Sequence, residues 1–102
     1  MTQQDRVAAD RAALIALCLY AYDRARSAAV AERIEDGLAG VGVCAVRPDG
    51  ERFDPRLHEA GGVQSTADAA LDGVVAETEL AGFTDSGAVL RVPVVTVYRR
   101  AG

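Results

Sequence analysis

One short stretch of the sequence combines a histidine with carboxylates, the side-chain types most often used for acid–base or metal chemistry. His58 is the only histidine, and Asp54 and Glu59 stand close to it. A general base or a metal site could use such residues. No second histidine or cysteine cluster completes a metal site, and no nucleophile with an oxyanion donor accompanies His58. We therefore predict that the protein is not an enzyme and uses no metal or cofactor. His58 is expected to bond to backbone near a turn.

The remaining candidates for chemistry have simpler structural interpretations. Gly37, Gly40 and Gly42 lack the Lys-Ser/Thr that follows in a phosphate-binding loop. Cys18 and Cys44 lie in apolar stretches without metal-ligand spacing, so we expect two small buried hydrophobic residues in a reducing compartment. A disulfide stays possible.

Composition limits the class of protein further. Half of the residues are hydrophobic but only 5% are aromatic, which predicts a thin core and favours an oligomer that completes it. The net charge is −4 without a basic stripe, so we expect no nucleic-acid partner. The apolar run at 12–22 is far shorter than the roughly 20 residues of a membrane span. A cytoplasmic protein without a membrane partner is predicted.

The first 40 residues have the pattern of helices. Residues 3–27 contain neither Gly nor Pro, and their apolar surface is wide enough to contact two neighbours. A second helix is expected at 28–38, with Ser27 either capping it or continuing the first helix. The two helices form a hairpin or a kinked rod, and either could dimerise into a four-helix bundle. The residues expected at the homodimer interface are Leu14, Ile15, Cys18, Leu19, Tyr22 and Ile34.

Residues 41–60 lead from helices into β-structure. A Val-rich strand is predicted at 41–46, followed by a Pro48-Asp49-Gly50 turn. Asp54 and Pro55 suit the cap and first position of a helical turn. Phe53 and Leu57 would flank this turn and be buried, like a hydrophobic staple.

The rest of the chain predicts a small β-unit. Residues 61–69 are polar or small and indicate a mobile connection. Residues 74–80 alternate like a strand with one solvated face, and 84–87 suggest a hairpin loop. Residues 89–98 predict one strong strand with Pro93 at an edge or bulge. The expected fold class is α+β, with a helical dimerisation segment at 1–40 and a compact β-head at 41–102.

Several of these segments together resemble the GrpE family, the nucleotide exchange factors of DnaK-type chaperones. The signature FDPRLHEA covers residues 53–60 and includes Phe53, Asp54, Pro55, His58 and Glu59. The other matching segments are Gly42-Val43, V-x-E-x-E-L-x-G-F at 75–83, G-x-V-L-R at 87–91, V-x-V at 95–97 and, upstream, Tyr22-Asp23-Arg24-Ala25. The resemblance spans about residues 14–98.

The resemblance implies a function as well as a fold. It implies a helical homodimer whose β-head binds the ATPase domain of a DnaK-type chaperone, favours its open form and so promotes ADP release. On the same basis we expect the signature residues of 53–60 to be structural, seating the β-head. The residues expected on the chaperone-binding head surface are Phe83, Ala88, Leu90, Arg91, Val95 and Val97.

Two of the departures from the family pattern bear most directly on function. The N-terminal helix is short, and Ala88 stands where family members commonly carry a basic, chaperone-contacting residue. These departures support a second hypothesis, in which a GrpE-derived dimeric adaptor has lost exchange activity and binds another protein.

Overall fold

The computed structural model describes residues 2–101, and it divides the chain into two compact units. The unit up to Val41, here called the helical unit, contains α1 (Gln3–Asp23) and α2 (Ala28–Ala39). The β unit begins at Gly42 and contains six strands and a short 3₁₀ helix. Two N-terminal helices followed by a small β-structure confirm the predicted α+β class.

Each helix begins at a side-chain cap. The Thr2 hydroxyl accepts the backbone N–H of Asp5 at 3.1 Å, and the Asp5 carboxylate accepts the Thr2 N–H at 3.2 Å. Ser27 accepts the Val30 N–H at 3.2 Å and has an extended backbone with φ −125° and ψ 146°. Ser27 therefore caps α2, one of the two alternatives that the sequence leaves open, and does not continue α1, which ends at Asp23.

The two helices form a hairpin rather than a kinked rod. Arg11 of α1 donates to the Val41 carbonyl, beyond the end of α2, at 2.8 Å. Tyr22, near the end of α1, donates to the Glu35 carboxylate at 2.8 Å. The earlier residue of α1 contacts the chain just after α2, and the later residue of α1 contacts an earlier position, within α2. This order shows that the helices are antiparallel and form a hairpin. Of the described residues in this unit, only Ile15 and Leu38 are buried hydrophobic side chains.

The β unit contains two three-stranded sheets. In the first sheet, β4 (Gly82–Asp85) pairs antiparallel with both β1 (Val43–Val46) and β5 (Ala88–Arg91). In the second, the central strand β6 (Val94–Arg100) pairs in parallel with β2 (Glu59–Thr66) and antiparallel with β3 (Val75–Leu80). The 3₁₀ helix Ala69–Leu71 joins β2 to β3.

The interior of the β unit is built mainly from Val side chains and the rings of two phenylalanines. Val75, Val95 and Val97 form a buried cluster against which Phe53 packs while half-buried. Phe83 and Val43 are fully buried as well. Since Val side chains suit the pleated surface of a sheet, the small residues noted in the composition still yield a closed interior here.

The expected mobile connection at 61–69 is wrong, because most of it is strand. Gly61 and Gly62 belong to β2 and face β6 across a register shift. A Cβ atom on Gly61 would lie 2.6 Å from both Val94 Cγ1 and Glu79 Oε2. Glycine is thus required here for close approach inside a sheet, although the same residue in a sequence suggests flexibility.

The single strand expected at 89–98 is also wrong. Pro93 separates β5 from β6, and the two strands belong to different sheets. Pro93 has no N–H to contribute to a ladder, while its carbonyl accepts the Glu59 N–H at 2.9 Å. Gly82 packs against this point, since a Cβ there would lie 2.6 Å from Pro93 N and Cδ.

The turn predictions are confirmed, with one shift of boundary. At 48–50 the Glu51 N–H donates to the Pro48 carbonyl at 3.0 Å, and Gly50 has φ +81°. The hairpin between β4 and β5 turns at Ser86 and Gly87, with φ of 50° and 89°, while residues 84 and 85 extend β4. Two successive positive φ values suit a tight antiparallel hairpin.

Candidate partner-binding surfaces

Residues 54–58, here called the 54–58 turn, form a closed hydrogen-bonded loop. The Asp54 carbonyl accepts the N–H groups of Leu57 at 2.9 Å and His58 at 2.8 Å. The Asp54 Oδ1 atom accepts the Arg56 N–H at 2.9 Å, as expected of a capping residue. Hydrogen bonds from the Arg56 side chain and backbone hold the pKa of the half-buried Asp54 carboxyl below its usual value.

His58 closes the same turn through its side chain, which confirms its predicted backbone-bonding role. The Asp54 N–H donates to His58 Nδ1 at 3.0 Å. The imidazole is buried and lies 5.9 Å from the Phe53 ring, tilted by 45°. The ring therefore supports the turn, and its Nδ1 atom is occupied as an acceptor.

The other signature residues have different surroundings. Pro55 is exposed within the turn, and exposed Glu59 begins β2. Phe53 is half-buried against the Val cluster. Leu57 is 56% exposed, so the prediction that it is buried is wrong. The 54–58 turn is closed by hydrogen bonds, which leaves the Leu57 side chain free to point outward.

Strand β5 lies at the outer side of its sheet and presents apolar side chains. Val89 is 62% exposed and Leu90 is 44% exposed, and Ala88 beside them is exposed too. Val92, just beyond the strand, is also exposed. An exposed apolar edge strand is a ready site for a protein partner.

Arg91 ends β5 and links the surface to the interior. Its Nε atom donates to the Ala81 carbonyl at 2.9 Å, and its guanidinium carbon lies 5.3 Å from the centre of the Phe83 ring. The guanidinium thus packs on an aromatic ring, and the residue is only partly exposed. Through these two contacts Arg91 fixes the end of β5 to Ala81 and to Phe83 of β4.

Three residues predicted on the head surface are buried instead. Phe83, Val95 and Val97 have no more than 1% of their surface exposed. Their side chains alternate inward from β4 and β6, so the surface prediction is wrong for these three. Ala88, Leu90 and Arg91 remain accessible.

Sequence reasoning missed part of the exposed apolar surface. A cavity of about 380 Å³ lies between the 54–58 turn and the β5–Pro93 segment. Leu57, Val89 and Val92 border it, with His58 and Pro93 in its wall. Strand alternation could not indicate Val89, because its neighbour Leu90 is exposed as well, and the proximity of Leu57 to β5 depends on tertiary structure.

The helical unit carries a larger apolar groove of about 640 Å³ between α1 and α2. Four residues predicted at the homodimer interface line it: Leu14, Ile15, Cys18 and Ile34. Leu19 and Tyr22, also predicted there, are half-buried outside the groove lining. The sequence interpretation missed the contributions of Val7, Leu38 and Val41.

The two cysteines differ in exposure, and both are free thiols. Cys18 is half-buried on α1, whereas Cys44 on β1 is exposed, so its predicted burial is wrong. The cause is strand alternation, because Val43 beside it takes the inward position. Across residues 2–101, no group of three or more His, Cys, Asp or Glu side chains could hold a metal ion.

A helix capable of crossing a membrane is absent from the described part of the chain. Two apolar surfaces are the candidates among the described residues: the groove of the helical unit and the β5 edge with its adjacent cavity. Exposed apolar patches of this kind are common where proteins contact a partner.

The fold places two helices before a small β unit of two sheets. The sequence model of the GrpE family matches residues 27–99, and the chain belongs to the GrpE family. The match covers α2 and nearly the whole β unit.

Individual relatives are similar over the same share of the chain. Protein GrpE of Trichodesmium erythraeum is 38% identical over 68 residues, which cover 67% of this chain and 28% of that protein. Protein GrpE of Thermoplasma acidophilum is 40% identical over 72 residues, covering 67% of this chain and 39% of that protein. Protein GrpE of Trichormus variabilis is 37% identical over 68 residues. The chain therefore matches well under half of the length of these curated relatives.

Proposed function

We propose that this chain is a compact GrpE-like co-chaperone that binds the ATPase domain of a DnaK-type chaperone and promotes ADP release. Family membership supports the partner, and the exposed apolar edge of β5 supports the place of contact. The observation that carries the proposal is the pair Val89 and Leu90, large apolar side chains left accessible on an outer strand. Burial of such side chains by a partner is favourable.

Exchange requires no covalent chemistry from this chain. A protein that binds the open form of the ATPase domain better than the closed form shifts the population toward the open form. By linkage, the same preference weakens nucleotide binding. The task of the β unit is therefore to present a stable, complementary surface, which its closed interior and hydrogen-bonded turns allow.

The proposed active form is a homodimer joined through the helical groove. Leu14 and Val7 are 63% and 59% exposed although they line an apolar groove with little polar surface. A second copy offers the same groove and would cover both side chains, in the manner of a four-helix bundle.

Release of labelled ADP from a purified DnaK-type chaperone tests the proposal. Wild-type protein is expected to accelerate release, and Val89→Glu to reduce the acceleration at least about tenfold by placing a charge in the apolar contact. Val63→Glu is the matched control, since Val63 is 66% exposed on β2, in the other sheet. No acceleration by saturating wild-type protein refutes the exchange function.

A dimeric adaptor that lacks exchange activity is the second candidate. Ala88 favours it, because a methyl group at this exposed position of β5 supplies no charge to a partner. The same assay separates the two functions when binding is measured in parallel. Binding of the ATPase domain without faster ADP release supports an adaptor on the chaperone, whereas absence of binding points to a different protein partner.

A further inference from the structure

His58 determines whether the 54–58 turn can stay closed. Its Nδ1 atom accepts the Asp54 N–H at 3.0 Å, so this nitrogen carries no proton in the closed turn. The ring is then neutral, with its proton on Nε2. A proton added at Nδ1 would face the Asp54 N–H donor and would remove the acceptor. Acid therefore opposes closure of the turn at one defined atom.

The closed 54–58 turn also places the apolar side chain of Leu57 on the rim of the cavity beside β5. Leu57 directly precedes His58 and is 56% exposed. Leu57 and His58 line the same cavity of about 380 Å³ as Val89 and Val92. Opening of the turn would move Leu57 away from the two valines and divide this apolar surface.

We propose that His58 is a positioning residue and proton switch of the partner-binding surface. The proposal rests on the function proposed above and extends its contact area from the β5 edge across the cavity to Leu57. With a neutral imidazole, the closed turn and β5 present one apolar surface to the ATPase domain. With a protonated imidazole, the turn opens and only the β5 portion of the surface remains.

The other charged groups around the ring would not produce the switch, because their charges do not change in mildly acidic solution. Glu51, Arg56 and Arg91 line the cavity with His58, and Glu59 follows it in sequence. Asp54 faces Nδ1 through its backbone N–H, and its own carboxyl is held by Arg56 with a lowered pKa. Carboxylates and guanidinium groups keep their charge in mildly acidic solution, where histidine changes its charge.

The switch can be tested first on the protein alone, because His58 is its only histidine. NMR spectra of ¹⁵N-labelled protein between about pH 8 and about pH 5.5 follow the two ring nitrogens and the Asp54 amide. We expect an unprotonated Nδ1 at the upper end and an Asp54 amide shift that moves with the same midpoint as the ring. An Asp54 amide that stays constant while the ring titrates overturns the proposal.

Two substitutions test the consequence for binding. In His58→Asn the amide oxygen can replace Nδ1 as acceptor but does not titrate, whereas His58→Ala removes the acceptor. At about pH 7.5 we expect His58→Asn to bind the ATPase domain within about twofold of wild type, and His58→Ala about tenfold more weakly. At about pH 5.5 wild type should weaken about tenfold relative to His58→Asn.

Titration of the chaperone affects all variants equally, so the difference between wild type and His58→Asn isolates His58. Parallel loss of binding by these two in acid overturns the switch. A His58→Ala protein that is folded by circular dichroism and binds like wild type overturns the positioning role. If wild type binds at no pH, the proposed function fails, while the NMR measurement still decides whether His58 controls the turn.

Discussion

The helical unit and the β unit differ in how completely each buries its apolar residues. In the described part of the helical unit, Ile15 and Leu38 are the buried hydrophobic side chains, while Val7, Leu14 and Leu17 are each about 60% exposed. The β unit instead encloses Phe83 and a cluster of valines whose exposure is at most 1%. A single copy therefore completes the interior of the β unit but leaves the helices with a large uncovered apolar surface.

This difference has a geometric cause. Two helices touch along one line and leave the remaining faces uncovered, and α1 is apolar around much of its circumference. In the β unit, the strands β1, β3, β4 and β6 each contribute at least one buried side chain, because alternate residues of a strand lie on opposite faces of its sheet. We infer that the helical unit is specialised for association with a second copy, whereas the β unit supplies a rigid surface for another protein.

The largest expected effect concerns the interior of the β unit. Phe83→Ala removes the largest fully buried side chain and should lower the free energy of unfolding by about 3–5 kcal/mol. Val63→Ala, at an exposed position, should change it by less than about 0.5 kcal/mol. Urea unfolding followed by circular dichroism measures both. A loss below about 1 kcal/mol for Phe83→Ala would contradict a self-sufficient β interior.

The next effect concerns association of the helical unit. Leu14→Asp places a charge in the groove and should raise the dimer dissociation constant at least about 30-fold, the factor that corresponds to about 2 kcal/mol. Leu17→Asp is a matched control, since Leu17 is 62% exposed on α1 but does not line the groove. Sedimentation measures both. The dimer proposal is wrong if wild-type protein is monomeric at micromolar concentration or if both variants dissociate equally.

An added methyl group should act with opposite sign in the two units. Gly82→Ala would bring Cβ to 2.6 Å from Pro93 backbone and ring atoms, so a loss of about 1–3 kcal/mol is expected. Gly37→Ala meets only the flexible Arg33 guanidinium at 3.4 Å and should stabilise α2 by about 0.5–1 kcal/mol. Denaturant unfolding of both variants checks the signs, and destabilisation by Gly37→Ala would show that α2 has no room there.

The smallest effect concerns the exposed cap of α1. Hydrogen bonds with Thr2 lower the pKa of Asp5, so the cap stabilises the helix while this carboxyl is ionised. The contribution is complete above the ordinary Asp pKa of about 3.9 and is lost as pH falls through the lowered folded value. Helicity measured by circular dichroism should fall less between about pH 5 and about pH 2 in Asp5→Asn than in Asp10→Asn. Equal losses of helicity in the two variants would contradict a stabilising contribution of ionised Asp5 to the cap.

Local sequence patterns predicted the features that depend on neighbouring residues. The Ser27 cap, the 48–50 turn and the backbone bond of His58 all join groups a few residues apart, so residue type and spacing are informative. The family resemblance was likewise visible in ordered short motifs. The predicted α+β class followed from the change between helical and alternating patterns.

Features that depend on distant neighbours required the tertiary structure. Gly61 and Gly62 suggested mobility, but both lie in β2, and a Cβ on Gly61 would come within 2.6 Å of Val94 on β6. Phe83 and Val95 were expected outside, yet Phe83 on the central strand β4 and Val95 on the central strand β6 are both fully buried. No local pattern states which of two sheets a strand joins.

The sequence alone determined where helices begin, where turns form and to which family the chain belongs, because short-range geometry and residue identity carry those properties. The tertiary structure decided which apolar residues remain exposed for a partner. Leu57 and Val89 are far apart in sequence and border one cavity only because the two sheets and the 54–58 turn bring them together. Burial is a property of the folded chain as a whole, and the proposed binding surface is what that burial leaves uncovered.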